Sequence, residues 1–355
     1  MDSRQLDQQD LDLMLNIKPE IWKALSSKSL FITGGTGFFG IWILSAIKEA
    51  FDKGLCEIKV VALSRNPESF LKKHSQFRNL SWLTFCAGNV ENFVFPEQNF
   101  DYLIHAATDA SNTLNIDFPI EMLETNIQGT RRILDFALHN NIPRILYVSS
   151  GAVYGDQPAE IKNIDEDFLG SPNPLKFNSA YGEGKRVGEL LCNLYSLKFG
   201  ISFSTARCFA FIGPYLPLDA HFAIGNFILD GLKGNQISVN GDGTPQRSYL
   251  YAADLVVWLL VILLKGEDRQ AYNVGSDEAL SIEQLAKSIS SFFSHKPEVG
   301  IKGKKGLGPI QKYVPLIDKA KKQLDLQVYT PLKEGIKKTI DFNRKEIASI
   351  VFESS

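Results

Sequence analysis

Apolar residues along this chain come in short unbroken runs, and segments of helical spacing separate them. Residues 29–33 (SLFIT) have the character of a buried strand, followed at once by glycines and then by a helical stretch over 41–51. The pattern repeats with strands at 58–63 (IKVVAL), 83–86, 102–105 and 144–149. A long helix spans 120–140, stopping at Asn141-Ile142-Pro143, and Gly151 closes the fifth strand. Strands alternating with helices predict an α/β fold, a Rossmann doubly wound parallel sheet with its ligand at the carboxyl ends of the strands.

Ahead of the first strand, residues 4–16 place Leu6, Leu11, Leu13, Met14 and Leu15 at mixed helical spacing. This predicts a short amphipathic helix that packs on the main body or on a second subunit. After Ser171 the texture changes. Pro172, Pro174, Pro214 and Pro217 mark loops, and amphipathic segments follow at 222–233, 254–265, 281–294 and 331–346. The expected organisation is an N-terminal helical extension (1–28), a dinucleotide-binding Rossmann core (29–170), and a mixed region (171–355). That last region completes the core and forms a smaller C-terminal substrate-binding lobe.

Composition narrows the function classes. With 355 residues, 44% hydrophobic and 22% charged, the chain can bury a full core. A net charge of -2 gives no basic field for nucleic acid. No stretch approaches the roughly 20 apolar residues that span a bilayer. Asp2, Asp7, Asp10 and Asp12 deny the N-terminus the basic head of a signal peptide, so a cytoplasmic location is expected. Cys56, Cys86, Cys192 and Cys208 are scattered without metal-ligand spacing and read as reduced core residues, with no metal site.

The first chemical signal is Gly34-Gly35-Thr36-Gly37-Phe38-Phe39-Gly40, between the first strand and its helix. Glycines there permit a tight turn and let backbone approach a pyrophosphate, while the helix N-terminus offers N–H donors. An acidic residue at the end of strand two would receive the adenosine ribose, but the chain reads Leu63-Ser64-Arg65-Asn66. Ser64 and Arg65 suit a 2′-phosphate, which favours NADP; with Arg65 equally readable as a solvated loop residue, NAD stays open.

The second signal is Tyr181-Gly-Glu-Gly-Lys185, which opens a helix continuing through Val187, Leu190, Leu191 and Leu194. Tyr181 and Lys185 stand one turn apart on one face. A lysine ammonium near the phenol is expected to lower its pKa, making Tyr181 a general base for an alcohol proton. Ser150, at the end of strand five, can donate a hydrogen bond to the reacting oxygen.

Taken with His105-Ala106-Ala107, Asn126-Ile-Gln-Gly-Thr130, Tyr154-Gly155 and Arg247-Ser-Tyr-Leu-Tyr-Ala-Ala-Asp254, these motifs stand in the order found in nucleotide-sugar epimerases and dehydratases. The chain resembles that branch of the extended short-chain dehydrogenases over about residues 29–345. The resemblance implies catalysis by Ser150, Tyr181 and Lys185. It also implies tightly bound NAD or NADP along Gly34, Thr36, Gly37, Phe38 and Phe39, with Asn89, Val90, Ala106 and Ala107 lining the dinucleotide and Tyr181 and Lys185 touching it. Asn226 and Arg247 would hold the nucleotide diphosphate, Ser150 the sugar, and Asn126 would be structural. Asp318 would cap a late helix. A homodimer is the implied assembly.

Relatives that eliminate water carry an Asp-Glu pair directly after the hydroxyl residue, and decarboxylating relatives keep a glutamate there. This chain has Gly151 and Ala152, which move no proton, so a 4-epimerase is the expected activity. Residues 181–189 look closer to the decarboxylase and dehydratase branch, so a 4,6-dehydratase or UDP-glucuronate decarboxylase is the alternative. Ala210 stands where the family commonly has asparagine; Asp219 and His221 in the following loop are the candidates to compensate, although both read more readily as solvent-facing loop residues. A regulatory NADP-binding protein without turnover is the non-enzyme alternative, against which the joint presence of Ser150, Tyr181 and Lys185 argues.

Overall fold

The computed structural model describes residues 5–107, 112–220, 222–304, 306 and 308–353. The N-terminal extension forms two helices where the sequence predicts one. Helix α1 (Gln8–Asn16) starts only after Asp7, whose carboxylate accepts from the Gln9 amide at 3.1 Å; Pro19 then separates it from α2 (Glu20–Leu25). Met14, Leu15, Ile21, Trp22 and Leu25 are buried, so the extension is part of the main core.

The Rossmann core follows as β1 (Lys28–Thr33), α3 (Phe38–Asp52), β2 (Ile58–Ser64), α4 (Pro67–Lys73), β3 (Leu83–Ala87), β4 (Tyr102–His105), α5 (Asn112–Asp117), α6 (Pro119–His139), β5 (Arg144–Ser150) and α7 (Ala180–Phe199). Helix α3 begins three residues earlier than its apolar spacing predicts, because Gly37 is extended and the helix starts as soon as the glycine loop ends. Next come β6 (Ser202–Cys208), β7 (Phe211–Ile212), α8 (Ala223–Leu232), β8 (Ile237–Val239), β9 (Gln246–Arg247), β10 (Leu250–Tyr251), α9 (Ala252–Lys265) and β11 (Gln270–Val274). The chain ends through β12 (Leu280–Ser281), α10 (Ile282–Ser290), β13 (Val299–Ile301), β14 (Lys312–Tyr313), α11 (Asp318–Leu324) and α12 (Leu332–Glu353).

Seven parallel strands form the main sheet in the order β11-β6-β5-β4-β1-β2-β3. The order reverses between β1 and β4, which opens the crevice where such sheets take a ligand. Register sets Thr33 beside His105 and Ser150 beside Cys208, so the candidate residues share one end of the sheet.

Two expectations from the late sequence are corrected. The segment at 254–265 is no amphipathic lobe helix: α9 is buried from Ala252 to Leu263 and packs on β5, β6, α1 and α3. Apart from Asp254, which accepts from Tyr329 and Thr330, its buried residues are apolar all round, and a helix of that kind belongs inside the core. Asp318 is not a cap either. Ile317 holds that position, and Asp318 lies in the first turn of α11, paired at 3.0 Å with Lys322 one turn on. Small sheets β12-β9-β14 and β8-β13, with α8 and α10, build the lobe beyond the main sheet.

Candidate active site

The glycine loop is built to hold backbone close to backbone. Gly34 has φ +72°, and a Cβ there would lie 2.6 Å from the Ala106 carbonyl oxygen; a Cβ on Gly40 would lie 2.3 Å from Gly35. The Gly37 amide donates to Gly34, and α3 then opens with no side chain capping its first amides. Those N–H groups and the positive end of a 15-residue helix suit a pyrophosphate. Thr33 Oγ1 accepts from the amides of Ala106 and Ala107 at 3.1 and 3.0 Å, fixing the β4 turn against the loop. His105 touches Thr33 and Thr130, and burial pushes its pKa down to about 3, so it is a neutral packing residue.

Around this cradle lie the other dinucleotide candidates. Thr36, Phe38 and Phe39 are half-buried at the start of α3, and Phe39 packs edge-on against Phe211. Ser64 is buried at the end of β2, and Arg65 beside it is exposed, with no carboxylate at ion-pair distance among the described residues. Asn89 donates to Glu91 at 3.1 Å, and Val90 is buried against Gly129. The residues present therefore fit a dinucleotide, and nothing acidic at the end of β2 opposes a 2′-phosphate.

Ser150 is buried at the end of β5, where its hydroxyl accepts from the Ala152 amide at 3.2 Å and hydrogen-bonds Tyr181. Tyr181 and Lys185 share one face of α7, and the lysine Nζ lies 5.9 Å from the tyrosine ring centre. Lys185 Nζ donates to the Val148 carbonyl at 2.8 Å, tying α7 to β5. The electrostatics differ from the expectation. Burial pushes the Tyr181 phenol up to about 12, with the Ser150 hydrogen bond opposing it, and burial pushes Lys185 down to about 8. Desolvation is the largest cause for both groups.

Ala152 and Tyr181 line a cavity with Asn115, Asp156, Lys176 and Tyr313. Asn126 is buried and donates to the Met122 carbonyl within α6. In the lobe, Asn226 lines a second cavity with Asn240, Gly241 and Gly243. Arg247 follows Pro245 of that cavity, and its guanidinium lies 5.9 Å over the ring of Tyr313. Arg247 is half-buried and forms no ion pair among the described residues, which suits an anion. Asp219 is exposed and Ala210 half-buried, and His221 lies outside the described residues.

Sequence reasoning missed two features. One is Tyr313, in a two-residue strand with no local motif, whose hydroxyl stands 3.5 Å from that of Ser150. The other is a buried network in which Arg207 grips Glu189, Ser149 donates to Glu189 at 2.6 Å, and Arg207 donates to Tyr154. Glu189, eight residues beyond Tyr181, was visible only as a helix residue.

The sequence profile of the NAD dependent epimerase/dehydratase family matches residues 30–275. The chain belongs to that family. It is accordingly an NAD-dependent enzyme of nucleotide-sugar chemistry. UDP-glucuronic acid decarboxylase 1 of Xenopus tropicalis is 31% identical over 90% of this chain and 73% of its own length. UDP-glucose 4-epimerase of Thermotoga maritima, solved with UDP-glucose, superposes with a TM-score of 0.78 at 22% identity, covering 90% of this chain and 99% of that one. A dTDP-glucose 4,6-dehydratase of Streptomyces venezuelae, solved with NAD, gives 0.77 at 21% identity, with coverages of 90% and 98%. No helix among the described residues is long and apolar enough to cross a membrane.

Proposed function

We propose that this enzyme is a nucleotide-sugar 4-epimerase, with Ser150, Tyr181 and Lys185 as its catalytic residues and Asn226 and Arg247 holding the nucleotide diphosphate. The observation that carries the reading is that Ser150 and Tyr181 bring two hydroxyls together while Gly151 and Ala152, directly after Ser150, bring no carboxyl group. NAD or NADP would be held along the glycine loop by Gly34, Gly37 and the free amides that open α3, and would supply reversible hydride acceptance at C4. Ser150 orients the C4 oxygen. Tyr181 takes its proton when the phenolate forms under the ammonium of Lys185, which stays protonated at neutral pH. On return, the neutral phenol favoured by burial is the donor that reprotonates the oxygen. Lys185 also fixes the helix turn through Val148.

A second reading, decarboxylation of a UDP-linked uronic acid, is favoured by the 31% identity to the Xenopus decarboxylase. Mass spectrometry with NMR on UDP-glucose, UDP-galactose, UDP-glucuronic acid and dTDP-glucose separates the two. Epimerisation preserves mass, whereas decarboxylation removes one carbon dioxide. The 4-epimerase reading also requires that Tyr181→Phe lose turnover while retaining nucleotide-sugar affinity, since the change removes one hydroxyl and little contact area.

The division into an extension (1–28), a dinucleotide core (29–170) and a mixed region with the substrate lobe (171–355) is part of this proposal, as is a cytoplasmic homodimer. What supports the dimer is α7, where Leu190, Leu194 and Leu197 lie on one face at 54%, 50% and 62% exposure.

A further inference from the structure

Tyr313 stands at the meeting of core and lobe. Its hydroxyl lies 3.5 Å from Ser150 Oγ, and it lines the same cavity as Tyr181 and Ala152. Its ring packs on Phe209 at 4.6 Å between centres and lies under the Arg247 guanidinium. We propose that Tyr313 is a third hydroxyl of the reaction centre, donating a hydrogen bond to the oxygen of the keto sugar beside Ser150 and Tyr181. The inference rests on the nucleotide-sugar reading of this site and adds a residue from the lobe to it.

Three observations carry the assignment. First, the glycine at 151 makes room for this phenol: a Cβ there would lie 2.7 Å from the Tyr313 hydroxyl and 2.8 Å from the Phe209 ring. A position that looks chemically silent in the sequence is thus the space into which another strand sends a hydroxyl. Second, the phenol is held rigidly. Strand β14 pairs with β9, which brings Tyr313 beside Arg247, and on its other side Val314 donates to Gln157 at 2.9 Å and accepts from Ile164 at 2.9 Å. A donor fixed before the substrate arrives needs no reorganisation as charge develops on the oxygen. Third, burial holds the phenol neutral, so it donates a hydrogen bond and leaves proton transfer to Tyr181. Tyr181 comes from the core and Tyr313 from the lobe. A sugar between them can be held from two sides, as a ring that presents both faces requires.

The test compares Tyr313→Phe with Tyr181→Phe on whichever of UDP-glucose, UDP-galactose, UDP-glucuronic acid and dTDP-glucose the unaltered enzyme converts. The expected result for Tyr313→Phe is a kcat lower by on the order of 10- to 100-fold, as for loss of one donor to a developing oxyanion, with KM and affinity for free UDP unchanged. Should thermal melting show Tyr313→Phe to be unfolded, Gly151→Ala gives the same readout, since its methyl group displaces the hydroxyl. Unchanged kcat in the folded variant, with Tyr181→Phe inactive, overturns the role of Tyr313 alone. Unchanged kcat in both tyrosine variants overturns the reading of the whole site.

Discussion

Glu189 and Arg207 grip each other through two parallel contacts, Nη2 to Oε2 at 2.8 Å and Nε to Oε1 at 3.1 Å. The pair joins α7 to β6, and the same carboxylate accepts from Ser149, the residue before Ser150. Both side chains are 17% exposed, so removing either partner leaves a largely desolvated charge. Glu189→Ala is expected to destabilise the fold by about 2–4 kcal/mol in equilibrium urea unfolding. Arg207→Ala should cost a similar amount, and the double variant less than the sum of the two.

In the proposed mechanism Lys185 sets an alkaline limit. Its pKa is lowered by burial from 10.5 to about 8, so the ammonium that favours the Tyr181 phenolate disappears as pH rises through about 8. Turnover is expected to fall above that pH. In Lys185→Arg the residual rate should stay flat over the same range, because guanidinium does not titrate there. Stability moves in the opposite direction. The unfolded chain binds the lysine proton more tightly than the folded one, so this group makes stability rise with pH between about 8 and 10.5. Urea unfolding across that window, with Lys185→Met as control, reads the effect.

Arg247→Ala is expected to weaken nucleotide-sugar binding by about 1.5–3 kcal/mol, the range for a charged hydrogen bond to phosphate. Calorimetric titration with free UDP should show the same loss, because the proposed contact is to the diphosphate. Cofactor occupancy, read from absorbance, should not change, since Arg247 stands on β9 of the lobe.

Leu194→Lys places a charge in the middle of the exposed face formed by Leu190, Leu194 and Leu197. Light scattering after gel filtration is expected to report a dimer for the unaltered chain and a monomer for the variant. The variant's melting temperature as a monomer should remain cooperative, because Leu194 is not part of the buried core.

Much of this molecule was legible in the chain itself. The first five strands and the glycine loop could be read because the chemistry is local: strand runs are apolar for burial on both faces, and a loop that admits a pyrophosphate needs glycine at fixed spacing. Tyr181 and Lys185 were legible for the same reason, since one helical turn sets their relation without help from the rest of the fold. What only the tertiary structure decided is whatever depends on residues far apart in sequence. Ser150 and Tyr313 are 163 positions apart, and no periodicity announces that Gly151 leaves room for a phenol. Asp10 is one of the polar positions of the predicted amphipathic helix, yet it is buried with Tyr251 and Lys338, at 2.6 and 2.5 Å, because the extension closes against β10 and α12. The pKa of Tyr181 belongs to this second class. The spacing to Lys185 argued for a lowered phenol, but burial is a property of the assembled site, and it raises the phenol.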